Sequence, residues 1–341
     1  MAYTTIKKPS DYFNTKLYTG TGSSNAITGV GFQPDWIWFK CRSEAQSHFL
    51  FDAVRGSNKT IQSHTANAEA TSTALLTSFD SDGFTVNTDD GVNGSSKTYA
   101  AWNWLADNTS GSSNTDGSIT STVSANTTSG FSIVKWTGTG ANATIGHGLG
   151  AVPKMIIAKR LSNTEDWTIY HTSLGATNKI DLNGTGASVA VSNIWNNTAP
   201  TSSVFYVGDH GRVNGSGDTY IAYCFAEKQG YSKIGSYTGN NNADGTFVYT
   251  GFKPAFVMIK NASVAQNWFI NDNKRLGYNG GNNVLYPDLS NAEATSPQVD
   301  ILSNGFKPTS GDDQINSSGG TLIYMAFAEE PLVGDNPATA R

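Results

Sequence analysis

The residues that offer chemistry in this 341-residue chain are few and scattered. Asp80-Ser81-Asp82-Gly83 alternates side-chain oxygens ahead of a glycine, the pattern of a loop that holds a hard cation such as calcium. Asp89-Asp90 and Asp312-Asp313 are paired carboxylates, the residue type that hydrolyses glycosidic bonds. Neighbours on a strand point to opposite faces, so neither pair makes a facing dyad, and solvated turn carboxylates are the expectation. The five histidines, His48, His64, His147, His171 and His210, share no metal-ligand spacing. Gly146-His147-Gly148-Leu149-Gly150 is followed by no helix-forming segment, so it reads as a tight turn before Pro153 rather than a dinucleotide fingerprint. No Gly-x-Ser-x-Gly nucleophile motif sits between a strand and a helix. The expectation is therefore no catalytic, metal-binding or cofactor-binding residue, with a cation at Asp80 and Asp82 left open against a plain Asp-Gly turn.

The aromatics carry more weight. Trp36 and Trp38 share one strand face by the two-residue period and, with Trp102 and Trp104, read as core. Exposed aromatics stack on sugar rings or fill interface pockets. Trp195, in the loop Asn193-Ile194-Trp195-Asn196-Asn197, is the first surface-binding candidate, followed by Trp167, Trp268 and His48.

The elements that position these residues are written three times. Tyr18-Thr19-Gly20 leads through Gly31-Phe32-Gln33-Pro34 to the strand-like Trp36-Ile37-Trp38-Phe39-Lys40. Trp136-Thr137-Gly138 leads through Val152-Pro153 to Met155-Ile156-Ile157-Ala158-Lys159, and Tyr237-Thr238-Gly239 through Lys253-Pro254 to Phe256-Val257-Met258-Ile259-Lys260. Eight residues beyond each lysine stand His48, Trp167 and Trp268, each opening a second strand. Val92-Asn93-Gly94, Val213-Asn214-Gly215 and Ile315-Asn316-Ser317 occupy equivalent places, each followed by a strand from Thr98, Thr219 or Thr321. Asn-Gly predicts a hairpin there, because both residues tolerate positive φ. Continuously apolar runs such as Met155 to Ala158 suit strands covered on both faces.

Charged residues are 14% of the chain, against roughly 25% in an average soluble protein. Gly, Ser, Thr and Asn fill the gap, which predicts short strands joined by polar turns. The fold expected is all-β: three tandem homologous β-sandwich (jelly-roll-like) domains with short N- and C-terminal arms. The arm covers residues 1–15, repeat 1 16–108, a Ser/Thr/Gly linker or edge strand 109–129, repeat 2 130–229, repeat 3 230–332 and the tail 333–341. Both arms suit docking on assembly. A net charge of −5 argues against a nucleic-acid partner. No apolar run reaches the roughly 20 residues needed to cross a bilayer, and Met1 to Ser10 has no signal-like apolar core. Synthesis in a cytoplasm is the expectation. Cys41 and Cys224 read as idle buried thiols.

Two segments carry a family resemblance. Gly146-His147-Gly148-Leu149-Gly150-Ala151-Val152-Pro153 resembles the His-x-Leu-Gly-x-x-Pro segment of bacteriophage tail and tail-fibre domains. Tyr18-Thr19-Gly20 through Gly31-Phe32-Gln33-Pro34-Asp35-Trp36 resembles repeats in virion structural proteins of marine phages, including those infecting cyanobacteria. The resemblance covers roughly residues 3 to 341. It implies a non-enzymatic virion component, a tail fibre or tail-tip appendage that meets the host surface, with other virion proteins and a host glycan or receptor as partners. Capsid decoration, as a cement or head-fibre protein, is the alternative, then a polysaccharide depolymerase or a carbohydrate-binding lectin module. Virion appendages are homo-oligomers, often trimers, whereas three similar domains can also match a threefold axis as a monomer.

Overall fold

The computed structural model describes residues 3–275, 279, 282–296, 298–333 and 337–338. The chain is all-β, and each repeat builds its main sheet in the same antiparallel order. In repeat 1, Phe13–Thr19 pairs with Thr98–Trp104, then come Trp36–Cys41 and His48–Asp52. Repeat 2 sets Phe131–Thr137, Thr219–Phe225, Met155–Arg160 and Thr168–His171 in that sequence. Repeat 3 sets Ser232–Thr238, Thr321–Pro331, Phe252–Asn261 and Phe269–Asp272. Even the register repeats: Thr19 faces Thr98, Thr137 faces Thr219, and Thr238 faces Thr321.

A smaller sheet covers the outer face of each main sheet, giving a two-layer sandwich. It is Asn25–Thr28, Gly83–Val86 and Leu76–Asp80 in repeat 1, and Ala143–Gly146 with Val204–Val207 in repeat 2. In repeat 3 it is Val248–Tyr249, Gly305–Pro308 and Val299–Leu302. The enclosed clusters are separate: Ile37, Phe39 and Phe84 belong to one, Ile156, Ala158 and Phe205 to the second, Val257, Ile259 and Phe306 to the third.

The other face of all three main sheets enters one common core. Trp36, Trp38, Trp102 and Trp104 meet Met155, Ile157, Tyr223 and Phe225, and also Phe256, Met258, Met325 and Phe327. Trp36 stacks on Tyr223 at 4.2 Å between centroids, and Phe13 stacks on Phe327 at 5.2 Å. This explains the continuously apolar strands: alternate residues face the shared core and the repeat's own sandwich. The cover needed on the second face comes from the other two repeats.

Three expectations shift in detail. The Ser/Thr/Gly stretch, expected as a linker or an edge strand, supplies two strands, Ser112–Asn114 and Ser121–Asn126, which extend the second sheet to six. The first strand begins at Phe13, inside the expected arm. The rest of that arm docks on its own chain: Thr4 donates to the Gln229 carbonyl at 2.7 Å, and Ile6 is buried in the shared core. The Asn-Gly hairpins are instead single helical turns, Asp90–Asn93, Gly211–Asn214 and Asp313–Asn316. Gly94 has φ −58°, so positive φ is not what its place requires. Most of the tail 333–341 lies outside the described residues.

Candidate functional site

The repeated sequence markers all hold one joint together. The opening aromatic donates to the carbonyl before the marker asparagine: Tyr18 to Val92 at 2.6 Å, Trp136 to Val213 at 3.1 Å, Tyr237 to Ile315 at 2.6 Å. The buried asparagine amide then clamps the opposite loop. Asn93 accepts from the Thr21 amide at 3.0 Å and donates to the carbonyls of Ser23 and Asn87. Asn214 and Asn316 repeat this with Thr139 and Asn240. The glycine of the opening motif is required by closeness, since a Cβ on Gly20 would lie 2.2 Å from the Gly94 oxygen.

The surface-binding candidates are interior residues, which corrects the expectation for all four. Trp195 is 1% exposed and packs edge-on against Tyr170 at 5.9 Å. Its loop folds inward because Ile194 and Trp195 both belong to the second sandwich core. Trp167 and Trp268 are buried where repeats meet; Trp167 donates to the Gln62 carbonyl and Trp268 to the Asp181 carbonyl, each at 2.9 Å. His48 is buried at the equivalent place, its Nδ1 accepting from Trp38 at 2.8 Å. Burial holds the His48 and His171 imidazoles below their usual range, His171 at about 4.

The acidic motifs are engaged in turns. Asp82 accepts from the amides of Gly29 and Gly31 at 2.9 and 2.7 Å, which lowers its pKa, and Asp80 accepts from Thr85 at 2.7 Å. Asp89 and Asp312 cap helical turns, and Asp90 pairs with Lys97 at 2.9 Å. Gly146 to Gly150 forms the expected tight turn, with Gly148 and Gly150 at positive φ. No group of three or more metal-ligating side chains occurs among the described residues.

Buried charged side chains line the seams between repeats, and there the contacts are cyclic. Tyr223 of repeat 2 donates to Asp52 of repeat 1 at 2.8 Å; Trp102 of repeat 1 donates to Asp272 of repeat 3 at 2.9 Å. The matching position between repeats 3 and 2 places His171 Nε2 at 3.4 Å from the Tyr324 carbonyl, beside Met325. Arg55 and Arg275, fully buried, pair with Asp52 and Asp272 at 2.5 and 2.6 Å. Leu174 takes that place in repeat 2. The strand-closing lysines follow the same cycle: Lys159 donates to Ala66, Lys260 to Thr185 and Lys40 to Ser290. Burial pulls each ammonium down to about 8, while the carbonyls around it favour the charged form. Each repeat thus grips the one before it and repeat 1 grips repeat 3, which is the contact pattern of a pseudo-threefold axis.

With this arrangement described, a comparison with protein families finds one match, a domain of unknown function (DUF7483), over residues 8–331. The chain belongs to the DUF7483 family. That span takes in all three repeats. No curated protein matches the chain.

Sequence reasoning missed the seams, although Asp52-x-x-Arg55 and Asp272-x-x-Arg275 stand in register and the lysines close the same strand each time. It also passed over the exposed aromatics of repeat 3. Phe247 and Tyr249 are 45% and 54% exposed. Tyr249 borders a cleft of about 320 Å³ shared with Tyr3, Glu227, Gln229 and Lys233.

Proposed function

We propose that the chain is a non-enzymatic structural protein of a bacteriophage virion, a tail-fibre or tail-tip component displayed towards the host surface. The observation that carries this reading is the use made of the repeated residues. The markers kept across the three copies close a joint or a seam, and the tryptophans together with His48, His147 and His171 pack the interior. A fold so invested in its own closure leaves its loops and outer faces for recognition. The resemblance of the Gly146 to Pro153 and Tyr18 to Trp36 segments to phage virion proteins supplies the setting. Mass spectrometry of purified virions from a host carrying the gene tests it: the chain should co-purify with the particle at a fixed stoichiometry, and its absence from particles rejects the reading.

The pseudo-threefold ring favours a second placement, capsid decoration. A monomer with three similar sides can sit on a threefold position of a shell without trimerising. Immunogold labelling separates the two, since label on heads supports decoration and label on tails supports the appendage.

A further inference from the structure

Repeat 3 departs from its sisters at one outer edge. Val248 pairs with Phe306, as Ile27 pairs with Phe84 and Ile145 with Phe205, which aligns the three edge strands residue by residue. Phe247 then corresponds to Ala26 and Thr144, and Tyr249 to Thr28 and Gly146. Two small positions have become large aromatics, and both stay exposed. Strand periodicity puts them on the same face. In repeat 2 the corresponding edge is covered by the chain itself: Ile119 N–H donates to the Thr144 carbonyl, and Thr144 N–H donates to Ser118.

The cleft beside Tyr249 is furnished with polar groups. Tyr3 and Tyr249 are neighbours, and the Tyr3 hydroxyl donates to the Gly251 carbonyl at 2.6 Å. Burial and the Tyr249 hydroxyl push the Tyr3 phenol up to about 12, so it is protonated at neutral pH. Glu227 and Lys233 form an ion pair at 2.7 Å and are both partly exposed. Gln229 adds an amide. The volume of about 320 Å³ lies at the low end for small-molecule sites, roughly 300–1,000 Å³.

We infer that this cleft binds a neutral saccharide, with Tyr249 stacking on the apolar face of a pyranose ring and Tyr3, Glu227, Gln229 and Lys233 hydrogen-bonding its hydroxyls. An aromatic wall beside convergent donors and acceptors matches a sugar, which has one C–H face and a rim of hydroxyls. The Glu227–Lys233 pair cancels its own charge, so the cleft selects against anionic ligands that only a free cation would hold. Phe247, on the same face, extends the platform to a second residue of the chain. This rests on the reading of the protein as a surface-display module for its biological setting, while the binding itself is a property of the isolated chain.

The test uses the purified full-length protein on an array of neutral hexosides and N-acetylhexosaminides, followed by saturation-transfer NMR with the saccharides retained. The variants Tyr249→Thr and Phe247→Ala install what repeat 1 carries at the same exposed places, so folding should be intact and circular dichroism checks it. Retention should fall ~10-fold in Tyr249→Thr, a loss of ~1.4 kcal/mol of binding free energy. Thr28→Tyr, which adds the aromatic without the cleft, should gain nothing. Retention of no neutral saccharide overturns the inference. So does binding undiminished in Tyr249→Thr, or capture of extended peptides in preference to sugars. Virion association is read separately by mass spectrometry, so either result can fail alone.

Discussion

Asp52 and Arg55 show how much a single seam residue carries. Both side chains are fully buried, and Asp52 holds Arg55 and the Tyr223 hydroxyl of the next repeat through the same oxygen. Removing one partner of a buried pair leaves an uncompensated charge, at a cost of about 3–5 kcal/mol. Asp52→Ala should therefore lower the urea midpoint sharply. The chain also contains an uncharged answer to the same geometry, because the neutral His171 with Leu174 and Met325 occupies these places between repeats 2 and 3. Asp52→His, Arg55→Leu and Tyr223→Met together should recover more than half of the loss, and equal damage in the triple variant would refute the equivalence of the seams. His171 makes a pH prediction. Its Nδ1 accepts from the Ser173 amide at 3.2 Å, so the proton of the neutral ring sits on Nε2, facing the Tyr324 carbonyl. The folded-state pKa is lowered to about 4, so the folded form binds fewer protons than the unfolded form between about pH 4 and 6.5. Wild type should lose stability relative to His171→Gln by about 1.4 kcal/mol per pH unit as pH falls through that window. A difference independent of pH across that window would show that the folded ring binds its proton as readily as the unfolded one.

At the scale of elements, the joint between opening motif and helical turn is where the triplication is enforced. Gly20, Gly138 and Gly239 each lie with a would-be Cβ 2.2 or 2.3 Å from a backbone oxygen, and backbone cannot step aside as a flexible side chain can. Gly20→Ala should cost about 1–3 kcal/mol by overpacking. Ala at Gly184, which has open space around it, should be nearly silent in the same thermal melt. This joint marks the limit of what the sequence made legible. Strand positions, repeat register and the two-faced burial of Met155 to Ala158 followed from period and composition. The Asn93 turn was read as a hairpin because Asn-Gly is a local signal, whereas the side chain's long-range clamp on Thr21, Ser23 and Asn87 sets the backbone. A place in a loop makes Trp195 a surface candidate, yet one inward Ile-Trp pair anchors that loop in the second sandwich core. The seams stayed hidden for a related reason: Asp52 and Tyr223 are partners across a distance that no periodicity encodes.

Across the whole molecule, the shared core makes the three repeats interdependent. Cut out alone, repeat 2 would expose Phe131, Ile133, Met155, Ile157, Tyr223 and Phe225, all at most 1% exposed in the ring. At about 1.5–3 kcal/mol for each buried side chain, that face is worth on the order of 10 kcal/mol. A domain's entire net stability is about 5–15 kcal/mol. Residues 130–229 expressed alone should therefore lack a cooperative melt or associate through the bare face. The same ring predicts indifference to where the chain is cut, because the seam between repeats 3 and 1 has no peptide link and holds through Trp102–Asp272, Arg42–Glu293 and the Glu293 amide on the Arg42 carbonyl. Tyr3 and Pro331 lie near one another, since Tyr3 bonds Gly251 and the adjacent Phe252 pairs with Pro331. A permutant with the ends joined by a Gly/Ser linker and opened between the exposed residues Thr109 and Ser110 should keep the near-ultraviolet dichroism of the tryptophan core and a single cooperative unfolding transition. Loss of that transition would mean that the covalent order of the repeats, beyond their cyclic contacts, is needed to close the ring.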